Sequence, residues 1–506
     1  MSKNQSSLRV EKVTKVYGAF PALNDISMEF SRGELTAVMG ENGAGKSTLM
    51  QIISGIIAPT EGRVEIIDLN SDQGFTTATQ NELENFVAIV PQEIELADER
   101  TVAENIMMGI EPGGKLFPSK RKIFQDATLA LKEIGAEFGA NCRAGDLDAV
   151  SKQLVLIARA LARKAEVIVF DEPTANLSPL ESERLFQVIR KLKSAGKALI
   201  YVSHRIPEVM ELSERIEVLR DGVHVVGVDT ANTTEQFVVN SMVGREIDLT
   251  QRLEPVDKTA QVRLQVQNLS SKSLGPFDLS VKAGEVLGIA GLPDSGRAEF
   301  LELIYGLEKS ISGSVGVDGS KLTSHGISDS LRTGIGYLPG ERRFAGIFPA
   351  LSVRENISAL IVEKYSKFGI RQTAKLRATA TEFAKKVNVK AANFDLPITS
   401  LSGGNQQKAL IARILASEPR VLLLDEPTRG VDIGAKSEIY NIISELTKEG
   451  LPVILSSSDL PELLCQSNRI AVMHRGQIVS ILNANETNEE EIMTLATLGK
   501  REEVTL

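Results

Sequence analysis

The sequence predicts an α/β fold in which one domain occurs twice, and three observations predict it. The first is a Gly-rich loop between two apolar runs, Leu35-Thr36-Ala37-Val38-Met39 before it and Leu49-Met50-Gln51-Ile52-Ile53 after it. The second is an apolar run that ends in two adjacent carboxylates, Asp171 and Glu172. The third is the return of both patterns in the second half of the chain. Strand, loop and helix in this order indicate domains with a mainly parallel sheet core.

The bulk composition agrees with a soluble protein of several domains. A chain of 506 residues is too long for one ordinary core, and the length favours roughly two to four domains. The net charge of −9 argues against a surface that coats nucleic acid. No apolar stretch approaches the length of about 18 residues needed to span a bilayer. The polar start, Met1-Ser2-Lys3-Asn4-Gln5, lacks the apolar core of a signal peptide and predicts a cytoplasmic location.

The cysteine content argues against a disulfide framework and against a structural zinc site. The two cysteines, Cys142 and Cys465, lie far apart and belong to no Cys-x-x-Cys pattern or Cys/His cluster. We therefore expect each of them to be a small buried hydrophobic residue.

The Gly-rich loop matches the phosphate-binding pattern Gly-x-x-x-x-Gly-Lys-[Ser/Thr]. Its glycines allow backbone N–H groups to surround a polyphosphate, and the following helix adds the positive end of its dipole. The lysine adds a full charge near the β- and γ-phosphates, and the serine hydroxyl can ligate Mg²⁺. A chance match occurs in about a few per cent of chains of this length, and the flanking runs make it rarer. The first loop comprises Gly40, Glu41, Asn42, Gly43, Ala44, Gly45, Lys46, Ser47 and Thr48.

Two polar side chains follow predicted strands on either side of this loop. Residues 7–13 alternate like a half-exposed strand and lead to Tyr17, which either stacks on an adenine ring or packs at the strand end. Residues 86–90 form a predicted buried strand that is followed by Gln92. An amide at this place can ligate Mg²⁺ or hold the attacking water.

The apolar run of residues 166–170 predicts a central parallel strand with Asp171 and Glu172 at its carboxyl end. Asp171 would hold Mg²⁺ through water, and Glu172 would act as general base, a role that contributes about 10²–10⁴ in rate. The alternative is a plain helix cap before Pro173. Between the first loop and this strand, residues 101–147 are predicted to be mostly helical, and residues 154–161 to form a further helix.

The rest of the first half predicts one more helix and one more strand. Residues 181–192 read as an amphipathic helix that buries Leu185, Phe186, Ile189 and Leu192 on one side. Residues 198–202 predict a strand, and His204 follows it at a place from which an imidazole can reach a γ-phosphate.

The chain then repeats itself after a polar stretch without periodicity. We predict a first domain over residues 1–245, a linker over 246–261 and a second domain over 262–506. The second loop begins at Gly291, 251 residues after Gly40, and Asp425 lies 254 residues after Asp171.

Several motifs occur together in this chain. They are the first loop, Gln92, Asp-Glu-Pro-Thr at 171–174 and 425–428, Ser203-His204, Met242-Val243-Gly244-Arg245-Glu246, and Leu401-Ser402-Gly403-Gly404-Asn405. Together they resemble the ATP-binding subunits of ATP-binding-cassette (ABC) transporters over nearly the whole chain, and they are most similar to the fused double-cassette ATPases of bacterial monosaccharide importers of the ribose, galactose, xylose and arabinose type. The resemblance implies two tandem P-loop NTPase (ABC ATPase) domains, each with a mainly parallel sheet core, an antiparallel β subdomain and a helical subdomain.

The resemblance also implies an activity and its setting. The protein would hydrolyse ATP with Mg²⁺ and couple the hydrolysis to solute uptake. It would lie peripherally on the cytoplasmic face of the cell (inner) membrane. Its partners would be integral-membrane permease subunits and, through them, a periplasmic or extracellular solute-binding protein. The cargo would be recognised by those partners and not by this chain.

In this family each ATP lies between the loop of one cassette and the Leu-Ser-Gly-Gly segment of the other. Residues 401–404, the signature segment, would supply a second anion cradle at a helix N-terminus. One complete site is therefore predicted, with Lys46, Ser47, Gln92, Asp171, Glu172 and His204 from the first half and Ser402, Gly403 and Gly404 from the second.

The second composite site is predicted to be degenerate. Arg297 replaces the loop lysine, Ala298 the hydroxyl, Gly340 the glutamine and Ser458 the histidine. Leu147-Asp148-Ala149-Val150-Ser151 replaces the signature, with a carboxylate where a phosphate should lie. We expect this site to bind nucleotide weakly or to hold it without turnover.

Two details depart from the sugar-importer pattern, and two other functional classes compete with it. The second loop usually carries Arg-Thr, and the first-half signature usually keeps a Ser and a Gly. The degraded signature is similar to the autoinducer-2 importer ATPases, so a sugar-like signalling molecule or a polyol is a candidate cargo. A soluble tandem-cassette ATPase acting on ribosomes or nucleic acid would carry two intact sites and a long basic linker. A stand-alone ATPase or P-loop kinase would have no use for the signature segment.

Overall fold

The structure is a computed structural model, and it divides the chain into two compact units. It describes residues 6–18, 20–67, 75–92, 94–114, 117–174, 177, 179–203, 205–244, 252–253, 255–257, 259–322 and 326–500. The units are Met1–Ile247 and Asp248–Leu506. The finer division into a domain over 1–245, a linker over 246–261 and a domain over 262–506 stays a prediction.

The first unit combines an antiparallel sheet, a mainly parallel sheet and a group of helices. The antiparallel sheet has the strand order β2-β1-β4-β5, and the mainly parallel sheet has the order β12-β11-β3-β10-β9-β6. Short 3-10 helices lie at Ala144–Asp146 and Thr230–Asn232. The strands are β1 (Ser6–Tyr17), β2 (Phe20–Ser31), β3 (Leu35–Met39), β4 (Glu61–Ile67), β5 (Phe75–Thr77), β6 (Val87–Val90), β7 (Gly113–Gly114), β8 (Phe117–Pro118), β9 (Val167–Asp171), β10 (Ala198–Val202), β11 (Arg215–Arg220) and β12 (Val223–Asp229). The helices are α1 (Lys46–Ile53), α2 (Gln80–Phe86), α3 (Val102–Met107), α4 (Lys120–Ile134), α5 (Ala149–Ala162), α6 (Pro179–Ser194), α7 (Ile206–Leu212) and α8 (Glu235–Val243).

The parallel part of this sheet brings the loop and the carboxylates to one edge. β10 pairs in parallel with β3 on one side and with β9 on the other, and β9 pairs in parallel with β6. Every residue of β3 and β10 is buried, as expected for strands covered on both faces. The carboxyl ends of β3, β9 and β6 therefore lie at the same edge of the sheet, with β10 between β3 and β9. Ligands bind at this edge in open α/β sheets.

The helical prediction for residues 101–147 is right in part. α3, α4 and the 3-10 helix Ala144–Asp146 lie in this range, but a small hairpin of β7 and β8 separates α3 from α4. Gly113, Gly114 and Pro118 form this hairpin, and Gly and Pro disfavour helix interiors. The amphipathic helix predicted over 181–192 is confirmed, since Leu185, Phe186, Ile189 and Leu192 of α6 are buried.

The second unit repeats the architecture of the first. Its antiparallel sheet has the order β14-β13-β16-β17 and its mainly parallel sheet the order β18-β21-β22-β15-β23-β24. Read from β24 to β18, this order matches that of the first unit strand for strand. Its strands are β13 (Val262–Ser270), β14 (Phe277–Lys282), β15 (Val286–Gly291), β16 (Ser312–Val317), β17 (Ser320–Lys321), β18 (Ile335–Leu338), β19 (Ser366–Lys367), β20 (Ile370–Arg371), β21 (Val421–Asp425), β22 (Val453–Ser456), β23 (Arg469–His474) and β24 (Gln477–Asn483).

The helices of the second unit also follow those of the first in kind and in order. 3-10 helices lie at Ala359–Ile361 and Ile398–Ser400, and a π-helix lies at Arg342–Gly346. The α-helices are α9 (Arg297–Tyr305), α10 (Ile327–Thr333), α11 (Val353–Ser358), α12 (Thr373–Lys386), α13 (Gly403–Ala416), α14 (Ile433–Lys448), α15 (Leu460–Gln466) and α16 (Glu489–Leu498). The predicted repeat is thus a repeat of structure as well as of sequence.

The cysteines differ from the expectation. Cys142 is exposed and Cys465 is half-buried, so the prediction of a buried hydrophobic residue is wrong for Cys142. Cys142 lies in a turn before the 3-10 helix Ala144–Asp146, with its N–H bonded to the Gly139 carbonyl. A turn on the surface leaves its side chain in solvent.

No helix within the described ranges combines the length and the apolar composition that crossing a membrane requires.

The core of the second unit supplies a stability prediction. The Phe300 ring is fully buried and meets Phe277 edge to face, with 4.7 Å between ring centroids. We expect Phe300→Ala to lower the free energy of unfolding by about 3–5 kcal/mol, because it leaves a cavity and removes the aromatic pair. Urea unfolding followed by circular dichroism measures the change. Phe368→Ala is the control, because Phe368 is fully exposed and should cost less than about 0.5 kcal/mol; equal losses in the two variants would contradict the prediction.

Candidate functional site

The first loop is held in a shape that requires glycine. Gly45 has a φ of 98° and forms the N-cap of α1. A Cβ at this position would lie 2.5 Å from Leu23 Cδ2 and 2.7 Å from the Ala22 carbonyl oxygen. Glycine at position 45 therefore allows both the left-handed backbone conformation and the close approach of residues 22–23 to the loop. No side chain among the described residues caps α1, and the first N–H groups of any α-helix have no acceptor within the helix itself.

The side chain of Lys46 folds back over the loop and binds its backbone. Its Nζ donates to the carbonyl oxygens of Gly40 at 2.7 Å and Glu41 at 2.9 Å. The side chain is buried, whereas Ser47 beside it is exposed. The ammonium group is thus held over the Gly-rich backbone, where an entering phosphate would compete for its hydrogen bonds.

Asp171 and Glu172 lie at the carboxyl end of β9. Glu172 has a φ of 46°, which is uncommon for a residue with a side chain. Its N–H donates to the Val202 carbonyl at 2.9 Å, which anchors this turn to the end of β10. Burial raises the pKa of Asp171, the charge of Glu172 raises it further, and the charge of Lys46 lowers it. Both neighbouring charges therefore act on the Asp171 carboxyl.

The other first-half residues that the sequence predicts for the site are Gln92, Tyr17 and His204. Gln92 is exposed just beyond β6, which pairs with β9. Tyr17 is 49% exposed at the end of β1, with Lys15 Nζ 5.3 Å from its ring centroid. Tyr17 is therefore not a core residue, and the stacking of its ring on an adenine stays a prediction. His204 lies outside the described residues.

The oxygen donors at this edge suit Mg²⁺ better than zinc. The described residues contain no group of three or more His, Cys, Asp or Glu side chains that could hold a metal ion. The half-buried carboxylate of Asp171, the hydroxyl of Ser47 and the amide oxygen of Gln92 are hard ligands. Mg²⁺ in nucleotide sites uses few such protein ligands and takes the others from water and phosphate.

The second loop differs in a way that the sequence did not reveal. Arg297 Nη1 lies 3.2 Å from Glu426 Oε1, and the two side chains are only 10% and 13% exposed. Ser458 Oγ donates to the other carboxylate oxygen of Glu426 at 3.1 Å. The residue at the general-base position is therefore paired with the residue at the loop-lysine position.

A side chain at the glutamine position of the second half would displace the Asp425 carboxylate. A Cβ at Gly340 would lie 2.6 Å from Asp425 Oδ2. Burial is the largest influence on Asp425 and raises the pKa of its carboxyl, as it does for Asp171. The second half therefore keeps the two carboxylates, Asp425 and Glu426, but the residues around them differ from those of the first half.

The signature segment leaves its helix N-terminus uncapped. Ser402, the N-cap of α13, makes no side-chain cap hydrogen bond within the described residues. Instead Asn405 Nδ2 donates to Ser402 Oγ at 3.0 Å, and Asn405 Oδ1 accepts from the Lys390 N–H at 2.8 Å. Because Oγ already accepts from Asn405, its own hydrogen is available to a further acceptor. Gly404 is needed for packing, since a Cβ there would lie 2.4 Å from Ala435 Cβ.

The corresponding helix of the first unit is capped by its own carboxylate. Asp148, the N-cap of α5, accepts the Ser151 N–H at 2.7 Å. Hydrogen bonds from Ser151 lower the pKa of Asp148 and keep it ionised. An anion thus already occupies the first turn of α5 and would repel a phosphate. The N-cap pattern of Asp148 and Ser151 could have been read from the sequence.

Comparisons with known proteins found similar sequences over nearly the whole chain. The family model described as ABC transporter matches residues 23–175 and 274–429. The ribose import ATP-binding protein RbsA of Yersinia pestis bv. Antiqua (strain Antiqua) is 39% identical over 491 residues, which cover 97% of this chain and 96% of that protein. RbsA of Halalkalibacterium halodurans is 40% identical, over 97% of this chain and 98% of that protein. The putative ribose/galactose/methyl galactoside import ATP-binding protein 3 of Agrobacterium fabrum is 37% identical, over 98% and 99%.

One solved structure extends over most of both units. The complex of the archaeal ribosomal stalk protein aP1 and the ribosome recycling factor aABCE1 contains a chain with a TM-score of 0.58 and 22% identity, covering 94% of this chain and 90% of that one. At this identity the likeness concerns the fold alone.

Proposed function

This chain belongs to the ABC transporter family, and we propose that it is the ATP-hydrolysing subunit of an importer for a sugar or sugar-like solute. Relatives at 37–40% identity over nearly the whole chain are named as ribose or related sugar import ATP-binding proteins. The observation that carries the proposal is the arrangement at the first loop. There Lys46 lies over the Gly-rich backbone, and its charge acts on the half-buried carboxyl of Asp171 beside Glu172.

The residues of the first unit suit hydrolysis of the γ-phosphate. The phosphates of ATP would take the hydrogen bonds that Lys46 now gives to the Gly40 and Glu41 carbonyls, together with the N–H groups at the start of α1. Mg²⁺ held by Ser47, Asp171 and Gln92 would neutralise phosphate charge. Glu172, anchored through its N–H to Val202, would accept the proton of the attacking water.

The second loop would contribute little turnover. Its cation and its carboxylate, Arg297 and Glu426, already neutralise each other, and Ala298 has no hydroxyl for a metal ion. That Ser402, Gly403 and Gly404 serve the nucleotide held at the first loop remains a prediction from the family resemblance. The uncapped first turn of α13 supports it, whereas the Asp148 cap on α5 argues against the same role for the first unit.

The proposal places the protein on the cytoplasmic side of a membrane, bound to permease subunits and working with a solute-binding protein. Affinity purification of the full chain from detergent-solubilised membranes, followed by mass spectrometry, tests this placement. We expect a polytopic permease to copurify and to stimulate ATP hydrolysis. Recovery of ribosomal proteins without a permease would overturn the proposal in favour of a soluble tandem-cassette ATPase. The net charge of −9 argues against that alternative.

A further inference from the structure

The guanidinium group of Arg342 lies against the first turn of α13. Its Nη1 donates to the Gly403 carbonyl oxygen at 3.2 Å, across 61 positions of the chain. A Cβ at Gly403 would lie 3.1 Å from Arg342 Nη2 and 3.1 Å from the Gly430 carbonyl oxygen. The arginine, the signature segment and the turn after Asp-Glu-Pro-Thr therefore meet at one point. Glycine at 403 is what allows this approach.

The hydrogen bond to Gly403 acts on the N–H of Gly404. The carbonyl of one residue and the N–H of the next belong to the same planar peptide unit, so a donor that holds the carbonyl also sets the direction of the N–H. Two successive glycines have little intrinsic backbone preference and profit from such a constraint. A hydrogen bond to the carbonyl also polarises the peptide and makes its N–H a stronger donor. The Gly404 N–H is one of the first-turn donors that no side chain caps.

No carboxylate among the described residues neutralises the positive charge of Arg342. Within the described residues it forms no ion pair with a carboxylate, and its Nε is buried without a hydrogen-bond partner. The residue before it behaves differently, since Glu341 Oε1 lies 2.8 Å from Arg429 Nη1. A half-buried cation at the positive end of a helix is unfavourable in isolation. An anion at the first turn of α13 would remove that penalty.

The first unit serves as an internal comparison. The third residue after Pro91 and Pro339, which follow the equivalent strands β6 and β18, is Ile94 in the first unit and Arg342 in the second, where it begins a π-helix that has no counterpart among the described residues of the first unit. In that unit the first turn of α5 is capped by Asp148 and offers no anion site. The arginine thus occurs in the half whose helix N-terminus is uncapped, and an apolar residue occurs in the half whose helix N-terminus already holds a carboxylate.

We propose that Arg342 is a positioning residue for the signature segment, holding the Gly403–Gly404 peptide so that its N–H faces a nucleotide phosphate. The inference rests on the proposed function, because it assumes that the signature segment binds ATP. Arg342 acts through the Gly403 carbonyl, and its positive charge adds long-range attraction for the same anion.

Steady-state ATP hydrolysis by the full chain in its permease complex tests the proposal. We expect Arg342→Gln to raise KM for ATP about ten-fold, because a charged hydrogen bond and its electrostatic support are lost. Arg342→Lys should restore part of the affinity, since it keeps the charge without the planar fork. Arg343→Gln is the matched control, because it removes the same charge from an exposed neighbour and should leave KM within about two-fold.

The outcomes distinguish a positioning role of Arg342 from a merely structural role. They also distinguish failure of this proposal from failure of the proposed function. Equal KM values for Arg342→Gln and Arg343→Gln would overturn it, as would a lowered Tm with KM unchanged. If Arg342→Gln does not fold, Arg342→Lys decides, and an unchanged KM in that variant overturns the proposal. A wild-type complex without ATP hydrolysis, or one in which Lys46→Ala keeps full activity, would instead refute the proposed function.

Discussion

Lys46→Ala should reduce ATP hydrolysis by the assembled complex by about 100-fold or more. The ammonium group lies over the Gly40 and Glu41 carbonyls, where the phosphates would enter, and its charge is felt at the Asp171 carboxyl. Removing a preorganised group that stabilises developing charge typically costs about 10²–10³ in rate. Phosphate release from the purified complex under saturating ATP measures the loss.

Arg297→Ala is the matched variant of the other loop. Arg297 occupies the equivalent position at the start of α9 and is already paired with Glu426. We expect the rate to stay within about three-fold of wild type, because a cation engaged internally contributes little to phosphate binding. A melting curve shows whether loss of the buried ion pair has destabilised the second unit. Equal losses of hydrolysis in the two variants would contradict the asymmetry of the loops.

Glu172→Gln should lower kcat by about 10²–10⁴ while ATP binding persists. The amide has nearly the same shape as the carboxylate, and the backbone anchor from the Glu172 N–H to Val202 does not depend on the side chain. The variant therefore keeps the shape of the side chain and the backbone anchor, but it loses the oxygen that accepts the proton. Single-turnover hydrolysis and equilibrium ATP binding, measured on the same preparation, separate the two effects.

Glu426→Gln is the corresponding change in the second unit. Glu426 accepts from Arg297 and Ser458 and has the same left-handed backbone as Glu172, with a φ of 44°. We expect hydrolysis to stay within about three-fold of wild type, since this carboxylate is not free to accept a proton from water. A drop as large as that of Glu172→Gln would show that the second carboxylate takes part in turnover.

The elements that carry the site were largely predictable from local pattern. The strands predicted over 35–39 and 198–202 are observed with the same bounds, because central parallel strands are apolar on both faces and stand out as short uninterrupted runs. The start of α1 at Lys46 was also predictable, since glycine spacing determines where the loop ends. Predictions failed where local pattern is weak, as in the hairpin of β7 and β8 and in the exposed Cys142.

The sequence by itself determined the family, the two copies of the domain and the residues of the first loop and its carboxylates. It did so because these features depend on spacing along the chain, which a motif records directly. It also showed that the second half has lost the lysine, the hydroxyl and the glutamine of the first. It did not show what the replacements do.

Only the tertiary structure decided how the two halves differ chemically. Arg297 reaches Glu426 across 129 positions, and Arg342 reaches Gly403 across 61. The helix N-termini are a mixed case, because both contacts there are local: Asp148 accepts the backbone N–H of Ser151, a pattern that the sequence offers, whereas Ser402 accepts from the side chain of Asn405, one of several partners that its residue type permits. The contacts of Arg297 and Arg342 depend on the packing of segments that are distant in sequence, and chain spacing does not record such packing.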